Sequence, residues 1–322
     1  MAAKKLPAEF TYDLSEFMKV DPNLIHYEEA AAVETGMKEP RGIAVGGEGV
    51  IAVAGDKAVR LIADDGKASG EFETPEAPQA VAATTGKVGL GIYLAMKDHV
   101  EMYTPDGKQQ DVWEKAGPNA LFTSIALSAT ALFVADAGNR VVLRYRGYRE
   151  EGPFRRQIAS RIGEKDDARG IPGFVIPSPY FDLALASQDR LWIANPGRRR
   201  VELYTFDGSI LAHWGKASFK IEGFCGCCNP IHIAVLPGGH LVTSEKGLPR
   251  IKVYTPEGEL ASVVAPPPST GGRTGPAAFA EGTTGLDVAA DSRGRIWVLD
   301  PVARKVRLFT RKQTAPALEP KA

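Results

Sequence analysis

The sequence predicts an all-β fold: a six-bladed β-propeller of four-stranded antiparallel blades, its ring closed by a strand from the N-terminus. Three observations carry this. A short string is written nearly identically three times, as Tyr103-Thr104-Pro105-Asp106-Gly107, Tyr204-Thr205-Phe206-Asp207-Gly208 and Tyr254-Thr255-Pro256-Glu257-Gly258, with Ile62-Ala63-Asp64-Asp65-Gly66 as a weaker fourth copy. Six short apolar segments recur, each with Ala in third place, and from Ala44 to Ala289 they are spaced by about 49 residues on average, the size of a four-stranded blade with its loops. Amphipathic helical patterns do not separate them, so the repeat is one of small antiparallel sheets arranged radially.

The elements follow in order. The first strands are Gly42-Ile43-Ala44-Val45, Ala80-Val81-Ala82-Ala83, Ser124-Ile125-Ala126-Leu127, Asp182-Leu183-Ala184-Leu185, His232-Ile233-Ala234-Val235 and Asp287-Val288-Ala289-Ala290. Second strands end in an acidic or amide residue, as in Leu132-Phe133-Val134-Ala135-Asp136, Leu191-Trp192-Ile193-Ala194-Asn195, Leu241-Val242-Thr243-Ser244-Glu245 and Ile296-Trp297-Val298-Leu299-Asp300. Third strands run into the repeated Tyr-Thr strings, where Asp-Gly or Glu-Gly supplies the positive-φ residue of a hairpin turn. The last repeat ends at Arg307-Leu308-Phe309-Thr310 without a fourth strand, and residues Ile25 to Val33 can supply it, leaving no exposed edge. Asp300 and His26 then belong to one composite blade. The reading divides the chain into an N-terminal extension (1–24), the propeller (25–310) with insertions at 147–179 and 265–284, and a C-terminal tail (311–322).

The string Phe133-Val134-Ala135-Asp136-Ala137-Gly138-Asn139-Arg140-Val141, and Ile296-Trp297-Val298-Leu299-Asp300 after its Ala-containing strand, resemble the NHL-repeat family. The resemblance covers residues 25 to 310 and implies a six-bladed propeller. Blades one and two, with Ala54-Gly55-Asp56 and Ala95-Met96-Lys97 at that point, depart from the family string. Members range from protein- and RNA-binding modules to metal-dependent lyases, so function has to be argued from the site.

One face of the disc collects the polar residues. The loop entering each first strand and the loop leaving each second strand share that face, so the channel mouth is ringed by Gly42, Ala80, Ser124, Asp182, His232 and Asp287, with Asp136, Asn195, Glu245 and Asp300 around them. All three cysteines sit in the loop Phe224-Cys225-Gly226-Cys227-Cys228-Asn229-Pro230, just ahead of His232. Cys225 and Cys228 have the Cys-x-x-Cys spacing that lets two thiolates chelate a soft metal or form a disulfide, while adjacent Cys227 and Cys228 can close a vicinal one. Adding His232 makes a Cys3His site for zinc, copper or iron the leading expectation. The alternative for the cluster is a disulfide or packed thiols that only rigidify the loop.

Asp182 and Asp287 can complete a mixed carboxylate and imidazole site, or can cap backbone amides where strands enter the ring. Together with Glu245 they are the candidates for acid or base work. Asp136, Asn195 and Asp300 are expected to fix the loops that follow them, and His26, His99, His213 and His240 to be surface or packing residues. The function expected is binding of a metal or small redox-active ligand at the mouth through Cys225, Cys227, Cys228 and His232. A metal-dependent hydrolase or lyase is the alternative, and a protein-interaction scaffold with structural cysteines the third reading.

Composition narrows the partners. With 39 basic and 39 acidic side chains the net charge is zero, so no global field draws nucleic acid or an anionic membrane. A local basic patch from Arg149, Arg155, Arg156, Arg161, Lys165 and Arg169 with Arg198, Arg199 and Arg200 lacks the interleaved aromatics of a base-stacking surface. No apolar run approaches the roughly 18 to 20 residues of a membrane helix. A small ligand or a protein partner on the cysteine face, acting on a monomer, is therefore expected. Residues Met1 to Phe10 carry no apolar export segment, and the compartment stays open.

Overall fold

The computed structural model describes residues 15–86, 89–146, 156–168, 170–187, 189–267, 279 and 282–318. Among them are six four-stranded antiparallel sheets, the blades of a propeller. Blade one spans 40–73, blade two 80–112, blade three 122–162, blade four 183–214 and blade five 232–265. Blade six joins Asp287–Ala290, Ile296–Asp300 and Lys305–Arg311 to the N-terminal strand Tyr27–Glu34, in the order expected for ring closure.

Burial explains why the second strands read as unbroken apolar runs. A strand in the middle of a blade is covered on both faces, because the blades on either side pack against it. The alternation of side chains then decides which seam each residue fills. In Ala131–Asp136, Leu132 and Val134 pack toward blade two with Tyr93 and Phe122, whereas Phe133 and Ala135 pack toward blade four with Leu183 and Ile193. The described core is accordingly six hydrophobic clusters, one for each pair of adjacent blades. The outer strands need no such pattern: Ile210–Trp214 is exposed at its first four residues.

The repeated strings end the third strands as expected. Gly66, Gly107, Gly208 and Gly258 have φ between 83° and 94°, the left-handed region that favours glycine. Just before each turn the pairing of third and fourth strands slips by one residue, between Leu61 and Ile62, Met102 and Tyr103, Leu203 and Tyr204, and Val253 and Tyr254. The slip is a β-bulge that bends the outer strand round the blade edge.

Blade three differs from the expectation. Its outer strand is Ile158–Ile162, inside the segment read as an insertion. The chain therefore completes the blade within 147–179 before crossing to blade four. Residues 147–155 lie outside the described residues, as do 268–278, 280 and 281 of the other expected insertion. In the N-terminal extension, Ser15–Met18 forms one helical turn whose Phe17 ring lies 5.2 Å from that of Phe219. The last strand runs on to Arg311, and Lys312 continues the pairing with an amide hydrogen bond to the carbonyl of His26.

Two of the third-strand tyrosines share a second feature. Tyr103 donates to Glu101 and Tyr204 to Glu202, two residues back along the same face. Burial first, and then the neighbouring carboxylate, pushes both phenols well above 10; burial likewise raises Tyr145, helped by the charge of Glu114. In the unfolded chain these phenols ionise near pH 10 while the folded protein keeps them protonated. Their contribution is fully present below about pH 10 and is lost as pH rises beyond it. Urea midpoints measured from pH 8 to pH 11 in wild type and Tyr204→Phe should differ in their course above about pH 10, with the wild type losing more stability there than the variant; parallel curves contradict the assignment.

Candidate functional site at the channel mouth

The first residues of the inner strands form the mouth, and they fall into two halves. Where blades one and two meet, a Cβ on Gly42 would stand 3.0 Å from the Cα of Ala80, so small residues are required there by backbone approach. From blade three onward the position is polar, and each side chain reaches the following blade. Ser124 Oγ lies 3.4 Å from the amide of Leu183. Asp182 accepts from its neighbour Leu183 at 2.9 Å and from Ile233 of blade five at 2.6 Å. Asp287 accepts from Val288 at 2.8 Å and from Ile43 of blade one at 2.9 Å.

His232 stands between the two carboxylates. Its Nδ1 is 3.2 Å from Asp287 Oδ1 and 3.5 Å from Asp182 Oδ2, and its side chain is 12% exposed. Ligand atoms of Asp182, His232 and Asp287 all lie within 4.8 Å of one another, and no other set of three His, Cys, Asp or Glu meets that condition among the described residues. Burial disfavours the protonated imidazole, but Asp287 and Asp182 outweigh it and hold His232 above its usual value. Burial pushes Asp287 up to about 6 against the attraction of His232, with the charge of Asp182 adding to the rise. All three line one cavity, and His232 borders a second as well. Inward is the channel, about 360 Å³, lined by the Ala residues of the inner strands; outward is a mouth cavity of about 440 Å³ bordered by Lys38, Arg41, Gln79 and Tyr180. Tyr180 covers His232 edge-on, ring centroids 5.8 Å apart.

The cysteine loop overlies blade five, but the structure separates it from this group. Cys225 and Cys228 are buried and Cys227 is exposed; all three are free thiols, and none joins His232 in a ligand set. The Cys3His grouping expected from the sequence is thus divided, because His232 turns its Nδ1 to the two carboxylates. The Cys227 and Cys228 sulfurs lie 3.3 Å apart. The Cys225 thiol is raised by burial and by the negative charge of Glu245.

Glu245 anchors the loop and stands apart from the mouth group. Its side chain is 0% exposed, accepts from the Cys225 amide at 2.9 Å, and pairs with Arg250 at 2.8 Å and Lys252 at 2.6 Å. Burial opposes its charge, but Lys252 and Arg250 together hold the carboxyl below its usual range. Asn229 adds a second clamp, donating to the carbonyls of Cys225 and Lys246 and accepting from the Lys246 amide.

Asp136 and Asp300 hold the loops that follow them, whereas Asn195 holds the segment ahead of its blade. Asp136 accepts from the amides of Leu121 and Asn139, Asn195 from Val175, and Asp300 from Val302 and Ala303. His99 is not a bare packing residue: it lies between Asp98 and Glu101 at 2.7 and 3.0 Å. The chain signal for this was its neighbour Asp98 and the acid two residues on. Of the basic patch, Arg149, Arg155 and Arg169 lie outside the described residues, and four of the others are paired: Arg156 with Asp111, Arg161 with Glu164, Lys165 with Asp167 and Arg200 with Glu202.

No family model matches the chain, and no curated protein does. Solved structures match it along most of its length. The WD40 β-propeller domain of Doa1 aligns at 11% identity over 90% of this chain and 99% of that one, with a TM-score of 0.57. Virginiamycin B lyase from Staphylococcus aureus aligns at 16% identity over 89% and 100%, with a TM-score of 0.53. A protein of unknown function from Bacteroides thetaiotaomicron VPI-5482 aligns at 15% identity over 89% and 76%, with a TM-score of 0.57. At these identities the likeness is one of fold: the chain is a six-bladed β-propeller. Among the described residues no helix is long and apolar enough to cross a membrane.

Proposed function

We propose that this NHL-type propeller holds a divalent metal ion at its channel mouth through Asp182, His232 and Asp287, and acts there on a small ligand as a metal-dependent lyase or hydrolase. The observation that carries the reading is the convergence of these three side chains from blades four, five and six within 4.8 Å, at the junction of two cavities. Two carboxylates and one imidazole suit a borderline ion such as zinc or iron, and three protein ligands leave coordination positions open toward the mouth. Each carboxylate oxygen already accepts one backbone amide but has a second lone pair to offer. When bound, the ion supplies Lewis-acid chemistry. The chain itself supplies Lys38 and Arg41 on the rim to attract a ligand with an anionic or carbonyl oxygen, and Tyr180 to shield His232. Three solved neighbours of the fold are named lyases, in keeping with this reading.

A second reading is favoured by the same amide bonds: Asp182 and Asp287 clasp successive blades, and His232 bridges them as an imidazolium. Metal analysis separates the two. After dialysis against zinc or manganese and then buffer, about one equivalent should remain on the wild type, and it should be lost in His232→Ala and Asp287→Asn with the far-UV spectrum unchanged. Metal-free wild-type protein, or equal metal in the variants, leaves the clasp as the whole role of the triad.

A further inference from the structure

Outside the mouth group, loop 225–230 presents two thiols in a rigid setting that the cation site does not use. Cys227 is open to solvent, and Cys228 lies beneath it with its sulfur 3.3 Å away. The ammonium of Lys246 is hydrogen-bonded to the Cys228 sulfur, donates to Ser178 Oγ at 3.0 Å and lies 4.6 Å from the centre of the Tyr180 ring. The loop is pinned from both sides. Glu245 holds the Cys225 amide, Arg250 and Lys252 hold the carbonyl of Gly223, and Asn229 ties the loop to Lys246.

We propose that Cys227 and Cys228 form a dithiol that reduces small disulfides, with Cys227 as the attacking sulfur and Cys228 as the resolving one. Exposure assigns the first role, since only Cys227 can meet an incoming disulfide. Position assigns the second: the Cys228 sulfur already stands behind that of Cys227, at 3.3 Å. Burial opposes ionisation of Cys228, but hydrogen bonds from Cys227, Lys246 and Ser178 and the charge of Lys246 outweigh it, so the thiol is held below its usual range. A thiolate is the form that attacks sulfur.

The steps balance. Cys227 sulfur attacks one sulfur of the small disulfide R–S–S–R, its proton passing through solvent to the departing RS⁻, and a mixed disulfide forms on Cys227. The Cys228 thiolate then attacks the Cys227 sulfur and expels the second RS⁻. The substrate disulfide gains two electrons and the cysteine pair loses two, ending as a Cys227–Cys228 disulfide.

The full-length protein treated anaerobically with 2-hydroxyethyl disulfide tests this by intact-mass measurement. Wild type should lose two hydrogens and keep no adduct, whereas Cys228→Ser should accumulate a stable mixed disulfide mapped to Cys227. Cys225→Ser should behave as wild type. Lys246→Met should lengthen the life of the mixed disulfide by roughly threefold for each unit by which the Cys228 thiol is raised, since fewer thiolates form while each is somewhat more nucleophilic. Melting curves confirm that the variants are folded. A stable adduct on wild type equal to that on Cys228→Ser overturns the proposal, as do two unmodified thiols or reaction at Cys225.

Discussion

Replacing Glu245 by Gln is expected to destabilise the protein by about 3–5 kcal/mol, the cost of leaving a buried ion group without its counter-charge. Its carboxylate faces Arg250 and Lys252, and all three side chains are 0% exposed. Gln keeps the shape and removes the charge, so two cations remain in the interior. Lys252 can escape by losing its proton, since burial, only partly offset by Glu245, already draws it down to about 8. Arg250 cannot. Denaturant unfolding of Glu245→Gln, Lys252→Met and the double variant measures the coupling, and the double variant should recover part of the loss. A single-variant loss below about 1 kcal/mol would place the group in the class of exposed pairs and sink this account. The same variants should loosen the cysteine loop, because Arg250 and Lys252 donate to the carbonyls of Phe219, Ile221 and Gly223 as well as to Glu245.

Removal of residues 1–34 is expected to abolish the monomeric fold. Tyr27–Glu34 is the outer strand of blade six, paired along its length with Lys305–Arg311. Without it the strand Lys305–Arg311 becomes a free edge, an invitation to pair with another chain. The loss also uncovers the seam that Tyr27, 1% exposed, fills between blades five and six, and it strips Arg307 of its two hydrogen bonds to Glu29. Light scattering of the truncated chain should show oligomers or aggregate. A synthetic peptide of residues 22–34 added during refolding should restore a monomer-sized complex. A truncated chain that stays monomeric with an unchanged melting curve would show that ring closure contributes little.

Much of the architecture was legible because one kind of residue repeats at one kind of place. The Ala in third position of each inner strand marked all six blades, and His232–Val235 and Asp287–Ala290 coincide with the observed strands. Aligning those strands also placed Asp182, His232 and Asp287 together at one mouth. Blade three's outer strand escaped because Ile158–Ile162 follows no Tyr-Thr turn and, as an edge strand, alternates exposed and buried residues within a charged stretch. The cysteines and His232 are divided for a different reason. Nearness in sequence put Cys228 four residues from His232, but the direction of the His232 ring is set by Asp182 and Asp287, which come from other blades. Glu245, a candidate for acid or base work, proved to be held in an ion cluster for the same kind of reason. Its partners Arg250 and Lys252, five and seven residues on, stand just before and within the otherwise apolar strand Ile251–Tyr254, which was the available sign of a buried ion cluster.

The bond from the Ile43 amide to Asp287 has a further meaning. It spans the seam between blade six and blade one, beside the sheet in which the N-terminal strand meets Lys305–Arg311 by hydrogen bonds alone. Chemistry and closure therefore draw on one carboxylate. An ion seated on Asp287 would act as a rivet on that joint, and its occupancy should be readable as resistance to unzipping from the termini. Any redesign of the mouth at this position trades ligand choice against the integrity of the circle.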